Sequence, residues 1–366
     1  MNLKVSDRLQ KLRQSLAKNE IDGLFVSQPE NRYYLSGFDG SSGFLLITPQ
    51  DAILATDFRY LEQARVQAPD YQIFKISNST ADWFLRLGTE LNLGRLGLES
   101  GHVTFATYRQ YSGILSEAQS KLQLVMVDGL VEYLRAVKEP EEIRIIAKAA
   151  EITDSAFEYV EDIARIGMTE KEVAWEIEKY LRENGSRTPP FDIIVASGPN
   201  AALPHARPSQ RKINSGEPVV IDMGAKFEGY CSDLSRTICL GPHDGTFKKI
   251  YDIVLGAQLT ALTLVTGDMS GDEADSLARE VIEQTGYGED FGHALGHGVG
   301  LAPHEQPRLG PNSTELLTDG MVFSIEPGIY LTGWGGVRIE DLVVVEHGEI
   351  KVLSKARKLD TNRVFK

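Results

Sequence analysis

A segment beginning at Gly167, GMTEKEVAWEIEKYLRENG, returns later in the chain as GDMSGDEADSLAREVIEQTG from Gly267. Thr169 and Ser270, Glu172 and Glu273, and Gly185 and Gly286 are each separated by 101 residues. In both copies the hydroxyl residue and the glutamate three positions on form a capping box, in which hydroxyl and carboxylate satisfy free backbone N–H groups at a helix start. The glycine then stops the helix, because it enters the left-handed conformation without a Cβ clash. Each copy follows a longer helical pattern and precedes β-rich sequence. Two copies are too few for a solenoid, whose stacked repeats need about three or more to bury a core. The repeat therefore predicts one domain with pseudo-twofold symmetry, whose halves can converge on a central site.

The chain has 366 residues, more than one hydrophobic core usually serves, so two domains are expected. Ahead of the repeat, short apolar runs alternate with helical ones: residues 23–26, 43–48, 52–56 and 96–98 read as strands and 60–67 as a helix. That pattern predicts a small α/β domain over residues 1–132. Residues 133–141, charged and carrying Pro140, read as a linker, and Pro140 suits the start of a long amphipathic helix near Glu141. Residues 142–366 then form the second domain. Leu3, Val5, Leu9, Leu12 and Leu16 lie at helical spacing among charges rather than as a signal peptide, and no run of about 18 apolar residues occurs. The protein is expected in the cytoplasm, uncleaved and unanchored. A net charge of −14 argues against nucleic acid or an anionic membrane as partner, since both are bound through clustered Lys and Arg. The two cysteines, Cys231 and Cys239, lie on one predicted strand, too far apart to bridge each other. Buried free thiols in a reducing compartment are expected.

Chemistry enters at residues 217–240, where apolar PVVIDMGA, a turn at KFEG and then YCSDLSRTICL read as a β-hairpin. With residues 226–229 as a four-residue loop, Asp222 faces Asp233 directly across the strands. Two like charges with Cβ atoms about 5 Å apart destabilise a hairpin unless something positive lies between them, and a divalent cation meets that need. Alternatively, one aspartate caps a turn, or a register slip of one residue puts the two on opposite faces. The hairpin alone leaves both readings open.

Downstream, FGHALGHGVGLAPHEQP holds His293, His297 and His304, three of the seven histidines in the chain. Its glycines argue against a helix, so His293 and His297 are not a helical zinc pair; an extended glycine-rich segment instead lets backbone approach a site closely. MVFSIEPGIY then puts Glu326 at the end of an apolar strand, and GGVRIEDLVVVE puts Glu340 within another. Charges in buried strands are costly unless paired or metal-bound. Arg338 shares a face with Glu340, so a plain ion pair is the alternative to a metal there, while Asp341 points the other way as a structural carboxylate.

In this order and context, Asp222, Asp233, His297, Glu326 and Glu340 resemble the five-ligand set of the pita-bread metallopeptidases, which include methionine aminopeptidase, aminopeptidase P and prolidase. The resemblance is carried by DMGAKFEGYCSDLSRT, GHGVGLAPHE, SIEPGIY and VRIED. It spans essentially the whole chain, residues 1 to about 130 resembling the family's creatinase-type amino-terminal domain. It implies an α/β (α+β) fold in which that domain precedes a pseudo-twofold pita-bread catalytic domain. Four carboxylates and one imidazole are mostly hard, oxygen-rich donors, which favours Mn²⁺, with Co²⁺ or Zn²⁺ as substitutes. By the resemblance, two ions hold a bridging hydroxide that hydrolyses the Xaa-Pro bond at the amino terminus of a peptide. Asp222 and Glu340 bridge the ions, Asp233 completes one site, and His297 with Glu326 completes the other, Glu326 also accepting a proton from the attacking water. His205 in LPHARP and His304 in PHEQP match non-ligand histidines that bond the substrate backbone and the developing oxyanion. His293, Tyr330 and Arg338 match positions that shape the proline side or shuttle protons. A homodimer is implied as well.

Methionine aminopeptidase shares the ligand types but lacks the additional amino-terminal domain, and the short interval from Glu326 to Glu340 resembles the proline-specific branch. Within that branch, SGFDGSSG at residues 36–43 resembles bacterial aminopeptidase P-like proteins more than dipeptide-only prolidases. A metal-free amidinohydrolase or a noncatalytic binding protein on the same fold would have lost ligands, and all five are present.

Overall fold

A computed structural model of the chain describes residues 5–76 and 79–361; Leu3 lies outside them. The chain divides into two compact units, Met1–Arg135 and Ala136–Lys366.

The first unit is built on a six-stranded sheet in the order Gln72–Lys75, Ala52–Thr56, Phe44–Ile47, Gly23–Val26, Arg95–Glu99, Gln123–Val127. The four strands and the helix read from sequence all form, the helix as Leu61–Gln67. The helix Val5–Lys18 buries Leu9, Leu12 and Leu16, the spacing seen in the sequence. An aromatic cluster of Phe25, Phe44, Trp83, Phe84 and Tyr111 fills one face of the sheet.

The division between the two units falls within residues 133–141, read from sequence as a linker. A short helix, Glu132–Ala136, runs into them, Lys138 N–H donates to the Gly320 carbonyl (2.8 Å), and Pro140 opens the helix Pro140–Ile163. The charges that suggest a solvated segment are partly buried: Lys138 is 4% exposed and pairs with Glu305 at 2.9 Å.

In the second unit the helices Glu170–Glu183 and Gly271–Gln284 are the two copies of the repeat. Both capping boxes form, with Thr169 and Ser270 each receiving the glutamate N–H at 3.2 Å and donating N–H to its carboxylate at 2.7 Å. Gly185 and Gly286 lie at φ +105° and +87°, beyond the two helix ends. Each repeated helix packs on its longer predecessor, Pro140–Ile163 or Gly245–Leu264. Each half has its own core, one around Phe157, Ile177 and Ile221, the other around Phe247, Ile282 and Phe323. The first half contributes a three-stranded sheet, Leu234–Cys239, Pro218–Met223 and Ile194–Ser197. A five-stranded sheet, Glu305–Leu309, Gly296–Gly298, Val322–Ile325, Asp341–Glu346 and Glu349–Val352, belongs to the second.

The hairpin register corrects the sequence reading. The turn is two residues, Glu228 and Gly229 at φ +45° and +88°, so Phe227 pairs Tyr230 and Asp222 pairs Ser235, not Asp233. The register is shifted by two residues. An even shift keeps side chains on their face, so the aspartates become diagonal neighbours on one side of the hairpin.

Candidate metal centre

Asp222 lies near the end of the strand Pro218–Met223, and Asp233 immediately precedes Leu234–Cys239. Glu326 follows Val322–Ile325. Glu340 sits not within a strand but in the break between Gly335–Arg338 and Asp341–Glu346, its N–H held by the Ser235 carbonyl at 3.0 Å and its carbonyl by Arg236. Ligand atoms of Asp222, Asp233 and Glu340 all lie within 4.8 Å of one another. His297, in Gly296–Gly298, brings Nε2 to 3.2 Å from Glu326 Oε1 and 3.8 Å from Asp233 Oδ2. The five residues named from sequence thus form one continuous cluster.

Two oxygens there, Asp222 Oδ1 and Glu340 Oε1, are buried without a hydrogen-bond partner among the described residues. A buried acceptor without a partner is costly, and a buried anion more so. Hard oxygen donors converging around orphaned atoms fit a divalent cation. Two glycines allow the approach: a Cβ on Gly296 would stand 1.9 Å from the Ser324 carbonyl oxygen, and one on Gly298 2.0 Å from that of Gln306.

The electrostatics describe a site short of positive charge. Burial, then the charges of Glu340 and Asp222, push the Asp233 carboxyl well above the ordinary range. Burial, then Glu326 and Asp222, do the same to Glu340. Asp222 is raised mainly by burial, against the charge of Arg338. Burial also works to raise Glu326, but the hydrogen bond and charge of His297 outweigh it and bring this carboxyl down to about 2.

Arg338 links the cluster to a polar chain. Its guanidinium donates to Asp222 Oδ2 (2.7 Å), the Ser235 hydroxyl (2.8 Å), the Tyr330 hydroxyl (3.0 Å) and the Pro204 carbonyl (3.1 Å). The Tyr330 hydroxyl lies 2.9 Å from His293 Nε2. Arg338 therefore pairs with Asp222, not Glu340, while Asp341 faces away, accepting from Arg236, Gln258 and Lys358 at 2.7–2.8 Å. The His297 and His304 rings are 4.0 Å apart. Burial lowers the His304 pKa, so its imidazole is neutral near pH 7. A cavity of about 480 Å³ is lined by His205, His293, His297, His304, Arg338 and the four carboxylates. Phe191, Asp192, Arg207 and Arg308 also line it. Sequence reasoning misses these four, because nothing in their local pattern separates them from surface residues.

The pattern of Metallopeptidase family M24 matches residues 144–347, and that of the Creatinase/Prolidase N-terminal domain matches residues 8–137. The Xaa-Pro dipeptidase of Pyrococcus furiosus is 37% identical over 356 residues, 97% of this chain and 99% of that protein. Among solved structures, the Xaa-Pro dipeptidase from Bacillus anthracis has a TM-score of 0.94 at 39% identity, covering 97% of this chain and 99% of that one. The X-Pro aminopeptidase from Thermotoga maritima has a TM-score of 0.85 at 35% identity, covering 94% and 99%. A family pattern over more than half of the chain and likeness along nearly all of it agree with the clustered carboxylates: the chain belongs to metallopeptidase family M24, behind a creatinase/prolidase-type amino-terminal domain.

Proposed function

We propose that this enzyme hydrolyses Xaa-Pro bonds at the amino terminus of peptides, using two divalent ions, Mn²⁺ in the cell. The observation that carries the reading is the convergence of Asp222, Asp233 and Glu340 around two partnerless buried oxygens, with His297 and Glu326 in contact beside them. Asp222, Asp233, His297, Glu326 and Glu340 would hold the ions, Asp222 and Glu340 being the carboxylates with a partnerless buried oxygen each. Two ions bound there would supply an activated water at neutral pH and Lewis-acid polarisation of the scissile carbonyl. Glu326 is ionised at neutral pH, so its carboxylate would be the group that accepts the proton of the attacking water. His304, as a neutral N–H donor, and His205 bond the oxyanion and the substrate backbone. Burial disfavours the Arg338 charge, but Tyr330 and Asp222 outweigh it and keep the guanidinium charged. Arg338 and His293 line the proline side of the cavity, and the Tyr330 hydroxyl, 2.9 Å from His293 and 3.0 Å from Arg338, ties the two together behind it. The ring of proline removes an N–H and fixes φ, so a peptidase acting on this bond needs a dedicated wall of this kind.

Residues 1–132 serve as the amino-terminal domain and 142–366 as the catalytic domain, in a cytoplasmic homodimer. No helix among the described residues is long and apolar enough to cross a membrane. A second reading, a prolidase confined to Xaa-Pro dipeptides, is favoured by relatives named Xaa-Pro dipeptidase. Catalytic efficiency on matched Xaa-Pro, Xaa-Pro-Yaa and Xaa-Ala-Yaa peptides, with Mn²⁺ and after chelation, separates the readings. Aminopeptidase activity requires the tripeptide to be cut and the alanine peptide spared. Equal proline and alanine values, or full activity after chelation, overturn the proposal.

A further inference from the structure

Glu170 opens the helix Glu170–Glu183 and is fully buried. A buried carboxylate is costly unless it is well hydrogen-bonded. Here every bond comes from a neutral group in one later segment. Oε1 accepts from the Ser197 N–H (2.7 Å), the Ser197 hydroxyl (2.8 Å) and the Asn200 side-chain amide (3.0 Å). Oε2 accepts from the Ser209 N–H (3.0 Å), the Ser209 hydroxyl (2.6 Å) and Asn200 again (3.1 Å). The free amides of the helix start complete the attachment, Glu170 N–H donating to the Arg211 carbonyl and Lys171 N–H to that of Ser209, both at 3.1 Å. One carboxylate therefore closes residues 197–209 into a loop pinned at both ends.

That loop carries His205. The imidazole is exposed to the cavity, so its own packing does little to hold it and its place is set by the backbone beneath. The second copy of the repeat has Gly271 where the first has Glu170. It holds the other histidine segment with different residues. Asp275 accepts the Leu295 N–H (2.8 Å) and pairs with Arg279 (2.6 Å), whose guanidinium donates to the Phe291 and His293 carbonyls at 2.9 and 2.8 Å.

We propose that Glu170 is a positioning residue that fixes His205 for catalysis, an inference that rests on the proposed role of His205. Glu170→Gln keeps the side chain's shape but sets an amide donor against the loop's donors. In the metal-loaded full chain, kcat on an Xaa-Pro-Yaa peptide should fall roughly 10- to 100-fold, the scale of a small misplacement of a reacting group. Metal content should be unchanged, and hydrogen exchange should rise over residues 197–209. In a His205→Ala background the same substitution should change kcat less than about twofold, because the group it positions is gone. Equal losses in both backgrounds overturn the proposal, as does unchanged exchange over 197–209. If Glu170→Gln does not fold, Ser209→Ala, which removes one anchoring hydroxyl, goes through the same double-mutant cycle, where equal losses again overturn the proposal and a loss confined to the His205 background supports it. A wild-type chain inactive on every Xaa-Pro peptide refutes the proposed function instead; the exchange measurement needs no substrate and still decides whether Glu170 anchors the loop.

Discussion

Single side chains divide into those the sequence exposes and those it hides. Asp222 and Asp233 are legible as a pair because strand parity survives an even error in register, although the two-residue turn at Glu228 and Gly229 moves Asp222 opposite Ser235. Glu170 reads only as part of a helix start, since its partners are 27 and 39 residues away. The adjacent rings of His297 and His304 make a sharp test of assignment. His304→Ala should keep its metal and lose activity roughly 10²–10³-fold, as for deletion of one oxyanion donor. His297→Ala should lose metal; elemental analysis of the two variants checks this. The raised carboxyls of Asp233 and Glu340 give a second test. A group whose folded pKa is raised stabilises the metal-free protein fully below its unfolded pKa, about 4, and loses that contribution as pH rises through the folded value. The melting temperature of the chelated protein should therefore fall as pH rises from about 4 through the raised values of these two carboxyls, and Glu340→Gln should shrink the fall. Parallel profiles for variant and wild type would contradict it.

At the level of elements, the capping boxes and their closing glycines are readable because their physics is local. The burial of Lys138 within 133–141 is not, because a charge run looks solvated until a distant partner such as Glu305 is placed against it. The break between Gly335–Arg338 and Asp341–Glu346 is also hidden: VRIED alternates like a continuous strand, and only contacts from Ser235 and Arg236 reveal that Glu340 sits at a corner. The glycine-rich strand Gly296–Gly298 has a direct test. Gly296→Ala forces a methyl onto the Ser324 carbonyl, a backbone atom that cannot rotate away. Unfolding of the chelated variant in urea should show a loss of about 3 kcal/mol, the upper end for overpacking. A loss below about 0.5 kcal/mol, within the range of surface substitutions, would show that the strand relaxes freely.

For the whole molecule, the two-domain architecture and the pseudo-twofold second unit agree with the sequence reading, because the 101-residue repeat survives folding as two capped helices. All proposed ligands lie between residues 222 and 340, inside the unit Ala136–Lys366. Ion binding should therefore stabilise that unit, by about 2.7 kcal/mol per site at a hundredfold excess over Kd. Hydrogen exchange with and without Mn²⁺ should show new protection there and none in Met1–Arg135; uniform protection would place an ion elsewhere. The repeat has one more consequence. Two identical subunits around a true axis must contribute the same residues twice, so any centre on that axis is symmetric. Joined in one chain, the copies are free to diverge: one brings two aspartates on a hairpin, the other a histidine and two glutamates. A peptide has direction, and only a centre whose two sides differ can hold it one way round.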